Sequence, residues 1–175
     1  MLPGSQILLV CLLASCATAG VGVRQAHAAG GSLLEQLPQE WHDDRGNATR
    51  LGEFQGRRVV FTMAYASCRR ICPATIAHLK RLQSELDARG ESAEFVIVGY
   101  DAAIDDPQTW HEYRESRGLT RDNWHFLIGT PESTAQFARR LGFGFWKYDR
   151  HVMHDYRIVV IGAGGTLEAE YGPNS

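Results

Sequence analysis

A chain of 175 residues has room for one globular domain with a sizeable core, and 44% hydrophobic against 22% charged residues excludes a disordered chain. With 18 basic and 20 acidic residues the net charge is -2, which provides no cationic footprint for nucleic acid or anionic lipid. The four cysteines are Cys11 and Cys16 near the N-terminus and Cys68 and Cys72 in the body, a pattern that excludes a disulfide-dense scaffold and a four-cysteine zinc cage.

The first element reads as an export segment. Residues 7–14 are a short apolar run, and the chain stays uncharged through small residues to Val23. Ala17-Thr18-Ala19 before Gly20 and Ala26-His27-Ala28 before Ala29 are small-residue cleavage patterns. Three fates fit these residues: a cleaved secretory signal, a bacterial lipobox at Leu13–Cys16 that would leave Cys16 lipidated, or an uncleaved anchor. The last is short of the roughly 20 residues a spanning helix needs. No Arg-rich amphipathic presequence is present, which argues against mitochondrial import. The expectation is a signal peptide or N-terminal membrane or lipid anchor over 1–29 and a single folded domain over 30–175. That domain would lie in the bacterial periplasm or cell envelope, at the inner membrane if the anchor is kept. A cysteine pair there meets an oxidising compartment.

Residues 30–57 are polar and Gly-rich, and predict a lead-in with one hairpin or short strand. Arg58–Tyr65 is mostly apolar, as a central strand is. From Pro73 to Arg89 the apolar residues Ile76, Leu79, Leu82 and Leu86 follow helical spacing, with Gly90 as the stop. Glu94–Tyr100 is a second buried strand. Asp106-Pro107 caps a helix that runs to about Arg117. His125–Gly129 is a short strand, Thr130-Pro131 opens a helix stopped by Gly142, and Arg157–Ile161 with Thr166–Tyr171 form a hairpin. This order predicts an α/β, thioredoxin-like three-layer fold with a central mixed sheet, in one domain with an extra helix inserted.

Cys68 and Cys72, followed by Pro73, stand between a strand and a helix. Pro73 suits a first helical turn, so Cys72 lies at or just before the helix start. The helix amides and dipole, with Arg69 and Arg70, favour thiolates there and predict a thiol more acidic than free cysteine. Four residues make about one turn, so both sulfurs can face one side. Such a pair can close a disulfide or hold one soft ion, copper(I) or zinc; an iron–sulfur cluster would need four cysteines.

A metal needs a third ligand. His27 is in the export segment, His42 in the lead-in, His78 on the far side of the cysteine helix, His111 on the next helix and His125 at a strand start; each reads as a surface or core histidine. His151 and His154 precede the strand near Arg157. In a thioredoxin-like fold that loop lies against the redox motif and usually carries a proline. No proline occurs between Pro131 and Pro173, and His154 is placed to face both sulfurs.

The body from about Trp41 to Gly172 resembles the Sco/SenC copper-chaperone family of cytochrome c oxidase assembly. Tyr65 through Cys68, Cys72 and Pro73 is similar to its aromatic-x-x-Cys-x-x-x-Cys-Pro segment. Asp101 through Asp105-Asp106-Pro107 resembles its Asp-Pro-x-x-Asp-Thr-Pro loop, Trp124–Gly129 its Trp-x-x-Leu-x-Gly strand, and His154 the histidine ahead of its last hairpin. Met153 stands where the family often has Asp before that histidine, and Arg69 where it often has Pro. The resemblance implies a thioredoxin-like fold and membrane anchoring. It also implies copper, as copper(I) or copper(II), bound by Cys68, Cys72 and His154, and delivery to the copper-site subunit of a respiratory oxidase or another envelope cuproprotein. A monomer with no nucleic-acid partner is expected. The alternative is a thiol–disulfide reductase that uses Cys68 and Cys72 as a redox pair on an envelope protein and does not need the histidine; a thiol peroxidase is a weaker third option. Asp101, at the end of a strand, is expected on the same sheet edge as Cys68, as a turn acceptor or in support of the site.

Overall fold

A computed structural model describes residues 31–68, 71–101, 104–149 and 151–172. The proposed export segment 1–29, with Cys11, Cys16 and His27, lies outside the described residues, as do Arg69 and Arg70.

The lead-in folds as a short helix α1 (Leu33–Gln36), whose N-cap Ser32 accepts from the amide of Leu34, then a hairpin of β1 (Trp41–Asp43) and β2 (Ala48–Thr49), and a 3-10 turn at Leu51–Phe54. The body continues as β3 (Val59–Ala64), α2 (Ile71–Ala88), β4 (Glu94–Gly99), α3 (Pro107–Ser116), β5 (Trp124–Ile128) and α4 (Pro131–Leu141). Then follow β6 (Phe145–Tyr148), β7 (His151–His154), β8 (Ile158–Ile161) and β9 (Leu167–Tyr171). The helix boundaries have local causes. Asp106 and Thr130 cap α3 and α4 by accepting from Thr109 N and Ser133 N, each with proline next in line. Gly142 ends α4 at φ 70°, a conformation that glycine adopts without a Cβ penalty.

Seven strands form one mixed sheet in the order β2-β1-β5-β4-β3-β8-β9. Strands β3, β4 and β5 are parallel, while β8 runs antiparallel to β3 and β1 antiparallel to β5. Strand pleating sends alternate residues to opposite faces, and both faces are covered. Val59, Phe61 and Met63 of β3 with Val96 and Val98 of β4 face Phe137, Ala138 and Leu141 of α4. Val60 and Ala64 with Phe95 and Ile97 face Ile76 and Leu79 of α2 and Trp110 and Tyr113 of α3. These near-continuous apolar runs are therefore central strands between helix layers, the three-layer arrangement expected.

Topology places the site. The C-terminal ends of the parallel strands β3, β4 and β5 share one sheet edge, where ligand sites of open α/β sheets are built. Antiparallel β8 begins at that same edge, since Ile158 pairs with Thr62. The chain after β3, after β4 and before β8 therefore converges there. One element differs from the expectation. Residues 145–154, read as a loop, form a hairpin of β6 and β7 with Phe145 opposite His154 and Tyr148 opposite His151. Its turn carries Asp149 at φ 54°, a conformation Asp tolerates better than most residues.

Candidate metal centre

Cys68 ends a tight turn after β3, its amide donating to the Tyr65 carbonyl at 3.0 Å. Cys72 is the second residue of α2, so the proposed helix start is where the cysteine pair lies. The amide of Cys72 donates to Cys68 Sγ at 3.4 Å, which turns the first sulfur toward the helix N-terminus. His154 closes β7. Its Nε2 lies 3.6 Å from Cys68 Sγ and 3.6 Å from Cys72 Sγ. All three donor atoms lie within 4.8 Å of one another, and all three residues are buried.

The orientation of the imidazole is set from behind. Nδ1 lies 2.9 Å from the Asp155 carbonyl oxygen. A carbonyl only accepts, so Nδ1 carries the proton and Nε2 presents its lone pair to the sulfurs. Met153 leaves no carboxylate before the histidine, and a backbone carbonyl takes the orienting role. The Asp155 carboxylate instead accepts from the amide of Gly144. The rings of Tyr100 and Tyr65 pack on the imidazole with centroids at 4.8 and 5.6 Å. The Tyr100 hydroxyl is buried with no hydrogen-bond partner among the described residues, and burial holds it well above the usual phenol range.

The acidity expected of at least one of the two thiols is not found at Cys72. Burial pushes the Cys72 thiol up; the hydrogen bond to the backbone of Tyr65 opposes it, and Cys68 and Asp105 add to the rise. Cys72 is 1% exposed, so the desolvation cost of its thiolate exceeds the help of the helix start. The expectation of an acidic thiol fails at this residue. Reduced, metal-free protein should therefore alkylate slowly at Cys72 near neutral pH, the rate climbing only in the alkaline range. Fast neutral reaction of Cys72 with iodoacetamide would contradict the burial.

Asp101 follows β4 and lies on the same edge as Cys68, as expected. Its carbonyl accepts from the amides of Ile104 and Asp105, a turn-acceptor role, and its carboxylate pairs with Lys147 of β6 at 2.8 Å. Asp105, which sequence reasoning passed over, is fully buried. Its Oδ1 accepts from Ala66 N at 2.8 Å and its Oδ2 from Asp101 N at 3.2 Å, tying the cysteine turn to the loop after β4. The only available signal was its place in the Asp101–Pro107 segment. His42, His78, His111 and His125 are not part of the centre. His42 is exposed on β1. His78 hydrogen-bonds Tyr156 Oη, His111 lies 3.9 Å from Asp44, and His125 pairs with Glu94 at 2.7 Å.

Two thiolates and a neutral imidazole make a soft to borderline donor set, suited to copper or zinc. An ion with bonds of about 2.0–2.3 Å to sulfur and nitrogen fits between donors 3.6 Å apart. Zinc in a structural site takes four ligands; among the described residues the donor cluster contains three, which favours copper(I) or copper(II).

The SCO1/SenC family profile matches residues 34–175. The chain is 24% identical over 164 residues to the SCO1 protein homolog of Bacillus subtilis strain 168, covering 88% of this chain and 85% of that one. Its fold is similar to that of Arabidopsis thaliana ScoI with copper bound, with a TM-score of 0.69 and 20% identity over 79% of this chain and 88% of that one. It is also similar to a SCO1/SenC family lipoprotein from Bacillus anthracis, with a TM-score of 0.71 and 19% identity over 78% and 83%. The fold is thus the thioredoxin-like one expected.

Proposed function

The chain belongs to the SCO1/SenC family, and from that premise we propose that it binds one copper ion through Cys68, Cys72 and His154 and passes it to the copper site of a respiratory oxidase in the cell envelope. The carrying observation is the convergence of three buried donors, two sulfurs and one imidazole nitrogen, within 4.8 Å. Copper is cargo here. Each thiol releases a proton as it becomes a ligand, so uptake works against the burial that keeps Cys72 protonated, and the neutral Nε2 of His154 joins without proton transfer. Hand-over is ligand exchange: soft donors of the recipient replace these three in turn. The hairpin that carries His154 also exposes Trp146 and Met153, which are register partners, and Tyr148, and exposed apolar side chains of this kind mark interaction surfaces.

Envelope location is supported by the export-like segment before residue 30 and by the Bacillus anthracis relative being described as a lipoprotein. No helix among the described residues is long and apolar enough to cross a membrane. A second reading is a thiol–disulfide reductase acting on cysteines of an envelope protein. It draws on the two neighbouring cysteine sulfurs. It gives no role to His154, whose Nε2 is equidistant from both sulfurs.

The test is copper content and disulfide reduction of the anaerobically purified protein. One copper per chain is expected, and Cys68→Ala or Cys72→Ala should abolish both binding and reduction. A wild type that takes up no copper yet reduces disulfides briskly would leave the reductase reading standing alone.

A further inference from the structure

Among the described residues, β6 and β7 are hydrogen-bonded as strands only to each other, as a two-stranded sheet separate from the main one. Yet β7 supplies His154, while Cys68 and Cys72 belong to the turn after β3 and to α2. The approach of the imidazole to the sulfurs therefore depends on what seats this hairpin against the body. Its base is closed internally, by Asp155 N donating to the Gly144 carbonyl and Gly144 N to the Asp155 carboxylate. Its seat on the body includes two consecutive residues after β4. The Tyr100 ring meets Phe145 of β6 at 5.0 Å and His154 of β7 at 4.8 Å, and these two residues are register partners. The Asp101 carboxylate meets Lys147 Nζ at 2.8 Å, and Lys147 is the register partner of buried Val152. Tyr100 thus holds the hairpin by an apolar face and Asp101 by charge. The Asp101 backbone is fixed independently of its side chain, because its amide donates to Asp105 Oδ2 and its carbonyl accepts from Ile104 and Asp105.

We infer that Tyr100, Asp101 and Lys147 are positioning residues: together they clamp the β6–β7 hairpin and set how fully His154 is engaged over the two sulfurs. The consequence for the ion rests on the copper-binding reading above. Two thiolates alone suit copper(I), and the imidazole extends the site to copper(II). The clamp therefore sets the preference between the oxidation states, although none of its three members need touch the ion. Loosening it raises the fraction of molecules in which the imidazole is withdrawn and the sulfurs are uncovered.

The test has one readout without copper and one with it. In reduced, metal-free protein at fixed pH, Lys147→Met and Asp101→Asn should each raise the alkylation rate of Cys68 and Cys72 by up to roughly fivefold, the upper end for an ion pair whose lysine is exposed. The double variant should show less than the product of the two single effects, because both remove the Asp101–Lys147 contact, and the reversed pair Asp101→Lys with Lys147→Asp should return the rate toward wild type. Tyr100→Phe, which keeps the ring, should leave the rate unchanged, and Tyr100→Leu should raise it. In copper-loaded protein the ratio of copper(II) to copper(I) affinity should fall by the same factor in the single variants and recover in the reversed pair. Unchanged alkylation rates in Lys147→Met and Asp101→Asn, or effects that multiply in the double variant, would overturn the clamp. A wild type without copper but with the full alkylation pattern would remove the copper reading and leave the clamp in place. Normal copper binding with flat alkylation rates would do the reverse.

Discussion

His154→Ala should lose stable copper(II) binding while retaining most copper(I) binding and all disulfide reduction. Thiolates tend to reduce copper(II), so the pair Cys68 and Cys72 is a poor site for it alone. The imidazole is the borderline ligand that suits both states, and here its Nε2 is 3.6 Å from each sulfur with the proton fixed on Nδ1 by the Asp155 carbonyl. Losing an outer-shell partner typically costs 10- to 100-fold in metal affinity. Losing the ligand itself should cost copper(II) more than about 100-fold, and copper(I), served by two sulfurs, roughly tenfold or less. Reduction of a disulfide moves electrons between sulfurs and should survive. The measurements are metal content, the copper(II)–thiolate absorption band and a reduction assay. His151→Ala is the control, three residues away with no counterpart in the family pattern. Should His151→Ala lose the band and His154→Ala keep it, the ligand assignment is wrong.

Asp105 should make stability fall as pH rises from about 4 to about 6, read as the wild type against Asp105→Asn. Its carboxyl is pushed from an ordinary 3.8 up to about 6, chiefly by burial, against the backbone N–H groups of Ala66 and Asp101 that favour the ionised form. A folded-state value above the unfolded one means that the native protein binds this proton more tightly. Below about 4 the group is protonated in both states and the contribution is fully present. Above about 6 it is ionised in both, and the folded state carries the cost of a buried charge. A shift of about two units is worth on the order of 3 kcal/mol at 1.36 kcal/mol per unit. Asp105→Asn removes the titration but turns an amide NH2 toward one of two backbone donors, a loss of about 1–3 kcal/mol. Urea unfolding at pH 4.5 and 7 of both proteins isolates the effect, since other groups cancel in the difference. Wild type and Asp105→Asn changing in parallel between the two pH values would show that Asp105 ionises at its ordinary pH.

The elements around the site were legible because their signals are local. Arg58–Tyr65 and Glu94–Tyr100 read as buried strands from their apolar runs, and the strands formed are Val59–Ala64 and Glu94–Gly99. Asp106-Pro107, Thr130-Pro131 and Gly142 marked helix ends by cap chemistry that needs no tertiary context. The β6–β7 hairpin escaped because the sequence between Tyr148 and His151 has no Gly to signal a turn. Its first strand also shows no alternation a core would impose: Trp146, Lys147 and Tyr148 are all exposed.

What the sequence determined by itself was the reagent and its address: two cysteines one turn apart at a helix start, and a histidine ahead of the strand that returns to the same sheet edge. Backbone propensity and chain order suffice for that, because parallel β3 and β4 and antiparallel β8 leave those three chain positions only one edge to share. Only the tertiary structure decided how the reagents behave. Which way the Cys72 thiol shifts depends on how much water burial removes, and burial outweighed the helix start. The tautomer of His154 depends on the carbonyl its Nδ1 meets, and Asp105 matters because a carboxyl without water must take its partners from two loops. Desolvation and hydrogen-bond geometry are properties of assembled surroundings, contributed by residues far apart in the chain, and no local stretch of sequence specifies them.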